Sequence, residues 1–368
     1  MVPRRTDAGL IRITPMGPGM LEPGEVARID PDGMREIIGS LPEQLEASLH
    51  LSPQAGFETG DAQRVFVVGM GGSAIAGDVF AAWVADRAKV PIQVVRDYRL
   101  PSYARPEDVL IAVSYSGNTE ETLSAATQGM KLGCRMVAVT SGGSLRDLAR
   151  KNGVPIVDVP AGLPPRGAFG HLFGVLPSIG ESWVVGPLRA ELEDSIDHLR
   201  RLRKRLRPET AVRSNRAKSL AIRLRNTVPV VYATAPFTPI AKRWQTQMNE
   251  NAKMLAFSSA LPEADHNELV GWSEDARARR HTPIVLRDRD EPPEIRRQLD
   301  ITVELMSRRA AAIEIEAEGE SVLSRLLGTL YLGDYMSLYL ATLRRVNPMP
   351  LPPIAELKKR LARGRRKN

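Results

Sequence analysis

Cysteine is almost absent from this 368-residue chain, in which Cys134 is the only one. A single cysteine excludes an intramolecular disulfide framework and a cysteine-rich zinc site, and it is typical of a protein from the reducing cytoplasm. The five histidines are scattered, and none of them forms an H-x-H or H-E-x-x-H motif of the kind that binds metals. We therefore expect a cytoplasmic protein with a buried thiol, no metal and no cofactor.

Long apolar runs are missing as well. The most apolar stretch, residues 326–343, is interrupted by Gly333 and Asp334, so we interpret it as a largely buried helix and not as a membrane span. The N-terminal residues lack the apolar core of a signal peptide and contain several prolines and glycines, which predicts a flexible lead-in. No membrane contact is expected.

Aromatic residues make up only 5% of the chain, whereas the net charge is +8. The basic runs LRRLRKRLR from Leu199 and KKRLARGRRKN from Lys358 are features of some nucleic-acid-binding proteins. However, few aromatic rings are available to stack on bases, and arginines at helical spacing are typical of a solvated helix face. We predict no nucleic-acid partner and note that a basic surface suits anionic substrates.

Two loops rich in glycine and hydroxyl residues each follow an apolar run and precede a helical pattern. Their sequences are VFVVGMGGSAIAGD from Val65 and VLIAVSYSGNTEET from Val109. The β-branched runs predict buried parallel strands, and the helix after each loop begins with unpaired N–H groups at the positive end of its dipole. This pattern predicts a phosphate site whose residues are Gly71, Gly72, Ser73, Ser114, Ser116 and Thr119.

Other interpretations of the first loop exist. Gly69, Gly71 and Ala74 also fit the dinucleotide pattern G-x-G-x-x-A, with Asp97 in the place of the acid that binds ribose. A dinucleotide site needs one glycine loop, whereas this chain has a second, serine-rich loop two strands later, which favours a phosphate cradle. Ordinary turns capped by Ser and Asn are the other alternative. A kinase-type phosphate loop is excluded, because no G-x-x-x-x-G-K-[ST] motif occurs.

Apolar runs alternate with helical patterns twice along the chain, which predicts an α/β protein with two doubly wound domains, each a mostly parallel sheet flanked by helices. We predict strands at residues 65–68, 92–95, 109–113, 136–139 and 156–159 in the first sheet, and at 228–233, 254–257, 283–286 and 311–316 in the second. The predicted segments are a helical lead-in (1–60), a phosphate-binding first domain (61–187), connecting helices (188–226), a second domain (227–345) and a Pro-rich, basic C-terminal segment (346–368) with a short helix over 354–362 and a disordered tail.

The two glycine and hydroxyl loops resemble the phosphosugar loops of sugar isomerase (SIS) domains. Four further blocks, in order, resemble the bifunctional phosphoglucose/phosphomannose isomerases: PPRGAFGHLFGVLP from Pro164, RWQTQMNENAK from Arg243, DHNELVGW from Asp265 and PLPPIAELKKRL from Pro350. The resemblance extends from about residue 65 to 361. It implies that both domains are of the SIS type, and YATAP at 232–236, which lacks glycine, implies that only the first one binds phosphate.

The resemblance also implies a catalytic set. Glu250 would be the base that moves a proton between C1 and C2, and a carboxylate partly shielded from water suits that task. His266 would open the sugar ring and would reach in from the partner subunit, which implies a homodimer. Arg166 has the permanently charged, planar group that suits an enediolate oxygen. Lys358 matches the lysine that contacts the sugar, although Lys359 lies beside it and a solvated helix end would also carry lysines.

These residues predict an aldose–ketose isomerase that interconverts glucose 6-phosphate, mannose 6-phosphate or both with fructose 6-phosphate, through an enediol(ate) and without metal. Such an enzyme would serve glycolysis and gluconeogenesis. The alternatives are an isomerase of another phosphosugar and a non-catalytic SIS-domain regulator that only binds sugar phosphates. A regulator has no need of a proton-transfer set, so Glu250, His266 and Arg166 together favour the enzyme.

Overall fold

The computed structural model describes residues 19–53, 57 and 60–365, with the backbone alone for 362–365. The prediction of a flexible N-terminus falls mainly on residues outside these ranges. The prediction of a disordered tail after residue 362 is wrong for 363–365, which continue the last helix, and otherwise falls on 366–368, outside the described residues. The helices are α1 (Pro23–Ile29), α2 (Met34–Gly39), α3 (Leu41–Ser48), α4 (Gly71–Val84), α5 (Glu120–Leu132), α6 (Gly143–Lys151), α7 (Phe169–Gly174), α8 (Leu176–Gly180), α9 (Leu188–Leu206), α10 (Arg216–Leu224), α11 (Thr238–Glu250), α12 (Glu268–Glu274), α13 (Pro293–Ser307), α14 (Val322–Arg344) and α15 (Pro352–Arg365).

The first sheet has five parallel strands in the order β2-β1-β3-β4-β5. Its central strands are apolar on both faces because helices cover both sides, as expected for an all-parallel sheet. This confirms the predicted doubly wound architecture. The strands are β1 (Val65–Val68), β2 (Ile92–Val95), β3 (Val109–Val113), β4 (Arg135–Thr140) and β5 (Ile156–Asp158).

The second sheet has four parallel strands in the order β7-β6-β8-β9. Its strands are β6 (Val228–Ala233), β7 (Phe257–Ala260), β8 (His281–Arg287) and β9 (Ile313–Glu316). The strand prediction over 254–257 is wrong. After α11 the chain turns through Lys253, whose φ is 53°, and Asn249 binds the Met254 carbonyl at 2.8 Å, so the strand begins only at Phe257.

Helix α14 is the buried helix that the apolar stretch predicted. Every residue from Leu323 to Leu343 is buried, and the helix packs against α9, α10 and α11. Within the described part of the chain, no helix is long and apolar enough to cross a membrane. The C-terminal helix α15 runs beyond the predicted range of 354–362, from Pro352 to Arg365.

The strand order fixes where a ligand can bind. From β1 the chain continues to β2, which lies on one side of β1. It then crosses over to β3, on the other side of β1, so the loops after β1 and β3 lead away from each other at the carboxyl edge of the sheet. In open α/β sheets, such a switch point is the usual binding crevice. The two hydroxyl-rich loops lie at this point.

Candidate functional site

The two predicted phosphate loops lie side by side, because β1 and β3 are neighbours. Close packing requires glycine here: a Cβ on Gly69 would come within 3.0 Å of the Val113 carbonyl oxygen. The backbone N–H of Tyr115 donates to the Ser73 hydroxyl at 3.4 Å and thereby joins the two loops. Helix α4 begins at Gly71 and α5 begins at Glu120, so the N-terminal ends of both helices meet at this edge. Such ends favour an anion.

The predicted phosphate residues differ in exposure. Ser73 and Ser114 are buried, and the Ser114 hydroxyl donates to that of Thr119 at 3.0 Å. Ser116 and Gly71 are exposed to solvent at the mouth of the loops. Their arrangement offers neutral donors along one edge, which is what an anion requires. Their part in phosphate binding stays a prediction.

A third loop, which the sequence analysis did not single out, closes beside the second one. The Asn118 side-chain oxygen accepts hydrogen bonds from the Ser144 N–H at 3.1 Å and from the Ser144 hydroxyl at 3.0 Å. Gly117 lies against this loop so tightly that a Cβ would overlap the Gly142 carbonyl oxygen, at 1.7 Å. In the sequence, the two glycines at 142 and 143 between Ser141 and Ser144 could have indicated this third loop.

Arg166 lies in a short 3₁₀ turn, Pro165–Gly167, directly beside the first phosphate loop. A Cβ on Gly72 would come within 2.9 Å of the Pro165 carbonyl oxygen. The Arg166 side chain is only 5% exposed, and its Nε donates to Asn251 Oδ1 at 2.7 Å. Its Nη2 donates to the carbonyls of Pro348 and Met349 at 2.7 and 2.9 Å. Burial lowers the pKa of the guanidinium, and the charge of Glu250 opposes this effect.

Glu250 is the last residue of α11, and its side chain is 28% exposed. Its Oε2 lies 3.7 Å from Nη1 of Arg166, which is the one guanidinium nitrogen that makes no hydrogen bond within the described residues. The structure therefore brings Glu250, Arg166 and the first phosphate loop into one contiguous site. At this distance the Glu250 carboxylate and the Nη1 edge of the Arg166 guanidinium lie side by side.

A buried polar network that the sequence analysis missed holds this arrangement. Arg243 on α11 pairs with Asp334 on α14 through Nη2 to Oδ2 at 2.7 Å, and the same Nη2 donates to the Arg166 carbonyl at 3.0 Å. Gln247 donates to Asp334 at 2.9 Å. Asn251 donates to the Ser337 hydroxyl at 2.9 Å. Asp334, the one charged residue in the apolar stretch 326–343, could have indicated this network, because a buried carboxylate needs a buried cation.

Lys253 is a second cation beside Glu250 that the sequence analysis did not single out. Its Nζ donates to the Glu250 carbonyl at 2.5 Å and to the Pro348 carbonyl at 2.9 Å. Burial and, to a smaller extent, the charge of Arg166 lower the Lys253 pKa to about 8, against the opposing charge of Glu250. The ammonium is therefore the form present at neutral pH.

His266 and Lys358 are both exposed and are not joined to this site by the contacts of the single chain. His266 is exposed at the end of a 3₁₀ turn, Glu263–His266, which follows the edge strand β7. Lys358 is exposed on α15. Within the described residues, no hydrogen bond or ion pair joins either side chain to Glu250 or Arg166. Their catalytic roles stay predictions.

The remaining acidic residues near the first sheet have local partners. Asp78 forms an ion pair with Arg96, and Asp97 accepts the backbone N–H of Arg99 at 3.3 Å within its own turn. No cluster of three or more His, Cys, Asp or Glu side chains with the spacing of metal ligands occurs among the residues described. Cys134 is buried, as expected.

Comparison with known proteins agrees with this architecture. The model of the SIS domain matches residues 60–155, and that of the bacterial phospho-glucose isomerase C-terminal SIS domain matches residues 213–361. A hypothetical protein from Thermus thermophilus has the same fold, with a TM-score of 0.67, 16% identity and coverage of 95% of this chain and 91% of its own.

Two curated relatives are much closer in sequence, and both are named bifunctional phosphoglucose/phosphomannose isomerase. The protein from Caldicellulosiruptor bescii is 36% identical over 335 residues, which cover 89% of this chain and 99% of the relative. The protein from Thermoplasma acidophilum is 35% identical over 306 residues, which cover 83% and 92%. The chain therefore belongs to the SIS-domain family of bifunctional phosphoglucose/phosphomannose isomerases.

Proposed function

We propose that this protein is an aldose–ketose isomerase that interconverts glucose 6-phosphate, mannose 6-phosphate or both with fructose 6-phosphate. The observation that carries the proposal is the carboxylate of Glu250 beside the guanidinium of Arg166, at 3.7 Å, next to a hydroxyl-lined anion cradle. The names of the relatives support the same reaction. A phosphate held in the cradle would hold the sugar so that its reacting end extends toward these two side chains.

The reaction needs only proton transfers. The Glu250 carboxylate removes the proton from C2 of the open-chain aldose, and the electron pair of that C–H bond forms the enediolate with negative charge on the C1 oxygen. The hydroxyl proton of O2 moves to O1, which leaves the negative charge on O2. The protonated Glu250 then returns its proton to C1 while the O2 electron pair forms the C2 carbonyl, which gives the ketose. Arg166 stabilises the charge that develops on the oxygen, and its buried position strengthens that interaction. No oxidant, reductant or metal is needed for the atoms and electrons to balance.

His266 is assigned to ring opening, in which an imidazolium gives a proton to the ring oxygen. The bond between C1 and that oxygen breaks, and the C1 hydroxyl releases its proton to solvent as the aldehyde forms. Since the His266 side chain is exposed and makes no hydrogen bond or ion pair with Glu250 or Arg166 within the described residues, we propose that it acts across the interface of a homodimer. Large apolar side chains on the same part of the molecule support such an interface: Leu255, Phe257 and Val270 are 70%, 48% and 66% exposed. They lie just before β7, in β7 and on α12, on both sides of the turn that carries His266.

Lys358 is assigned to a contact with the sugar oxygens near C1 or in the ring.

The proposal also includes the five-part division of the chain, at residues 1–60, 61–187, 188–226, 227–345 and 346–368. A cytoplasmic location and a place in glycolysis and gluconeogenesis complete it. The reduced, buried Cys134 is consistent with that compartment.

A coupled assay of the purified protein, with a chelator present, tests the proposal on both aldose 6-phosphates and on fructose 6-phosphate. We expect turnover of fructose 6-phosphate and of at least one aldose. Tight binding of these sugars without conversion would contradict the proposal and would support the regulator instead. Turnover of a different phosphosugar alone would support the other isomerase.

A further inference from the structure

We propose that Lys253 is a positioning residue of the isomerase: its ammonium clasps the backbone carbonyl of Glu250 and that of Pro348, and so fixes the base and the C-terminal segment in one arrangement. This inference rests on the proposed function, because it assigns Lys253 a part in the proton transfer by Glu250. Lys253 does not need to touch the substrate for this role.

The backbone conformation of Lys253 indicates that the lysine side chain itself is needed at this position. Its φ of 53° is in the left-handed region, which glycine and asparagine adopt far more readily at the end of a helix. A lysine at such a position costs about 1 kcal/mol relative to glycine. A surface lysine would bring no compensation for this strain, whereas this one is half-buried and binds two carbonyls, at 2.5 and 2.9 Å.

The two carbonyls that Lys253 binds belong to the two sides of the site. The Glu250 carbonyl is among the last of α11, where helical carbonyls lack N–H partners. The Pro348 carbonyl also accepts a hydrogen bond from Nη2 of Arg166 at 2.7 Å, so one oxygen is shared by both cations. A shift of Lys253 would therefore move the end of the helix that carries the base and the segment that holds the arginine.

The charges around Lys253 make this contact depend on pH. Glu250 on α11 favours the ammonium, and Arg166 from the 3₁₀ turn disfavours it. Arg344 on α14 contacts only the backbone here, at the Ala252 and Lys253 carbonyls. With a pKa of about 8, Lys253 loses its proton just above neutrality. The neutral amine is a weaker donor and carries no charge, so turnover should decline on the alkaline side around that pH.

The test compares wild type, Lys253→Met, Lys253→Arg and the control Lys242→Met, which removes an exposed lysine from α11, the helix that precedes Lys253. We expect Lys253→Met to lower kcat about ten- to hundredfold, because two charged hydrogen bonds are lost, and to change KM little. We also expect the alkaline limb of its kcat profile, near pH 8 in wild type, to disappear. Lys253→Arg should recover turnover and move the limb to higher pH, because arginine stays charged. Lys242→Met should match wild type.

An unchanged kcat and an unchanged alkaline limb in Lys253→Met would overturn the inference while wild-type turnover upheld the proposed function. If Lys253→Met does not fold, as judged by its urea transition, Lys253→Arg decides: a limb at higher pH supports the inference and an unmoved limb overturns it. If wild type converts none of the three sugars, the proposed function has failed and the inference fails with it.

Discussion

Arg166 distributes its guanidinium among groups from two distant parts of the chain, residues 250–251 and 348–349. Nε binds Asn251, Nη2 binds the Pro348 and Met349 carbonyls, and Nη1 faces Glu250. Only a planar fork with several fixed donors can satisfy all of these partners at once. The side chain is therefore both a structural tie between α11 and the C-terminal segment and the positive group nearest the base.

Replacing Arg166 with lysine should separate shape from charge. Lysine keeps the charge but cannot span these partners, so we expect kcat to fall about 10²- to 10³-fold, as for the loss of one preorganised donor to a transition state. Affinity for 6-phosphogluconate, measured by calorimetry, should change little, because the phosphate cradle is intact.

The matched control is Arg189→Lys, at an exposed arginine of α9 that pairs with Glu193. It should leave both quantities unchanged. A wild-type kcat in Arg166→Lys would show that the fork geometry has no part in turnover.

At the scale of elements, the first phosphate loop and the Arg166 turn are in direct contact. Gly72→Ala should disturb this contact, because the added Cβ would approach the Pro165 carbonyl to 2.9 Å and the Arg166 Cα to 3.4 Å. Since the neighbours are backbone atoms, the turn must shift. We expect weaker binding of 6-phosphogluconate and a lower kcat together.

Gly24→Ala is the control, since a Cβ there meets nothing within 4 Å. The expected result for it is wild-type binding and turnover. If Gly72→Ala bound the anion and turned over substrate as wild type does, the loop would not be part of the site.

The Arg243–Asp334 pair joins α11 to α14, and both side chains are buried. Asp334→Asn should leave the Arg243 charge without its partner, and breaking a buried pair in this way lowers the free energy of unfolding by about 3–5 kcal/mol. Urea unfolding measures this change. Asp194→Asn, at an exposed residue of α9, should change it little. An unfolding free energy for Asp334→Asn equal to that of wild type would contradict the structural role given to the pair.

The elements themselves were largely predictable from the sequence, because β-branched runs such as Val65–Val68 and Val109–Val113 bury both faces in a parallel sheet. The error at 254–257 has a local cause. Met254 and Ala256 are buried, but they lie in the loop after α11, and the true strand, Phe257–Ala260, is a sheet edge with serines at its centre. An edge strand carries a weak pattern because its side chains are partly exposed.

The phosphate loops were predictable for the same reason, since neighbouring parallel strands bring their carboxyl ends together. The residues that hold the Arg166 side chain in place were not predictable. Asn251 lies 85 residues from Arg166 along the chain, and Arg243 lies 91 from Asp334. Such pairs depend on how α11 and α14 pack, which no local pattern encodes. Lys253 was hidden for a related reason, since a lysine near the end of a helix is ordinarily a solvated charge.

At the scale of the whole molecule, the proposed catalytic set is complete only if a second copy supplies His266. Val270→Asp places a charge at an exposed apolar position on α12, close to the proposed interface. We expect a monomer by light scattering, a kcat lowered about 10²-fold or more because the general acid is lost, and retained binding of 6-phosphogluconate.

Val185→Asp controls for the charge itself, at a position that is 60% exposed and outside this surface. It should leave the dimer and the turnover as in wild type. A Val270→Asp monomer with full activity would mean that His266 does not act across an interface.

The central claim is that Glu250 carries a proton between C1 and C2 of the sugar. Isomerisation in deuterium oxide, followed by NMR, measures this directly for wild type and for Glu250→Gln, with 6-phosphogluconate binding as the check on folding. We predict that wild type introduces solvent deuterium at C1 of fructose 6-phosphate or C2 of the aldose, and that Glu250→Gln slows this exchange about 10²- to 10⁴-fold while still binding the anion. Exchange at the wild-type rate in Glu250→Gln would contradict the account.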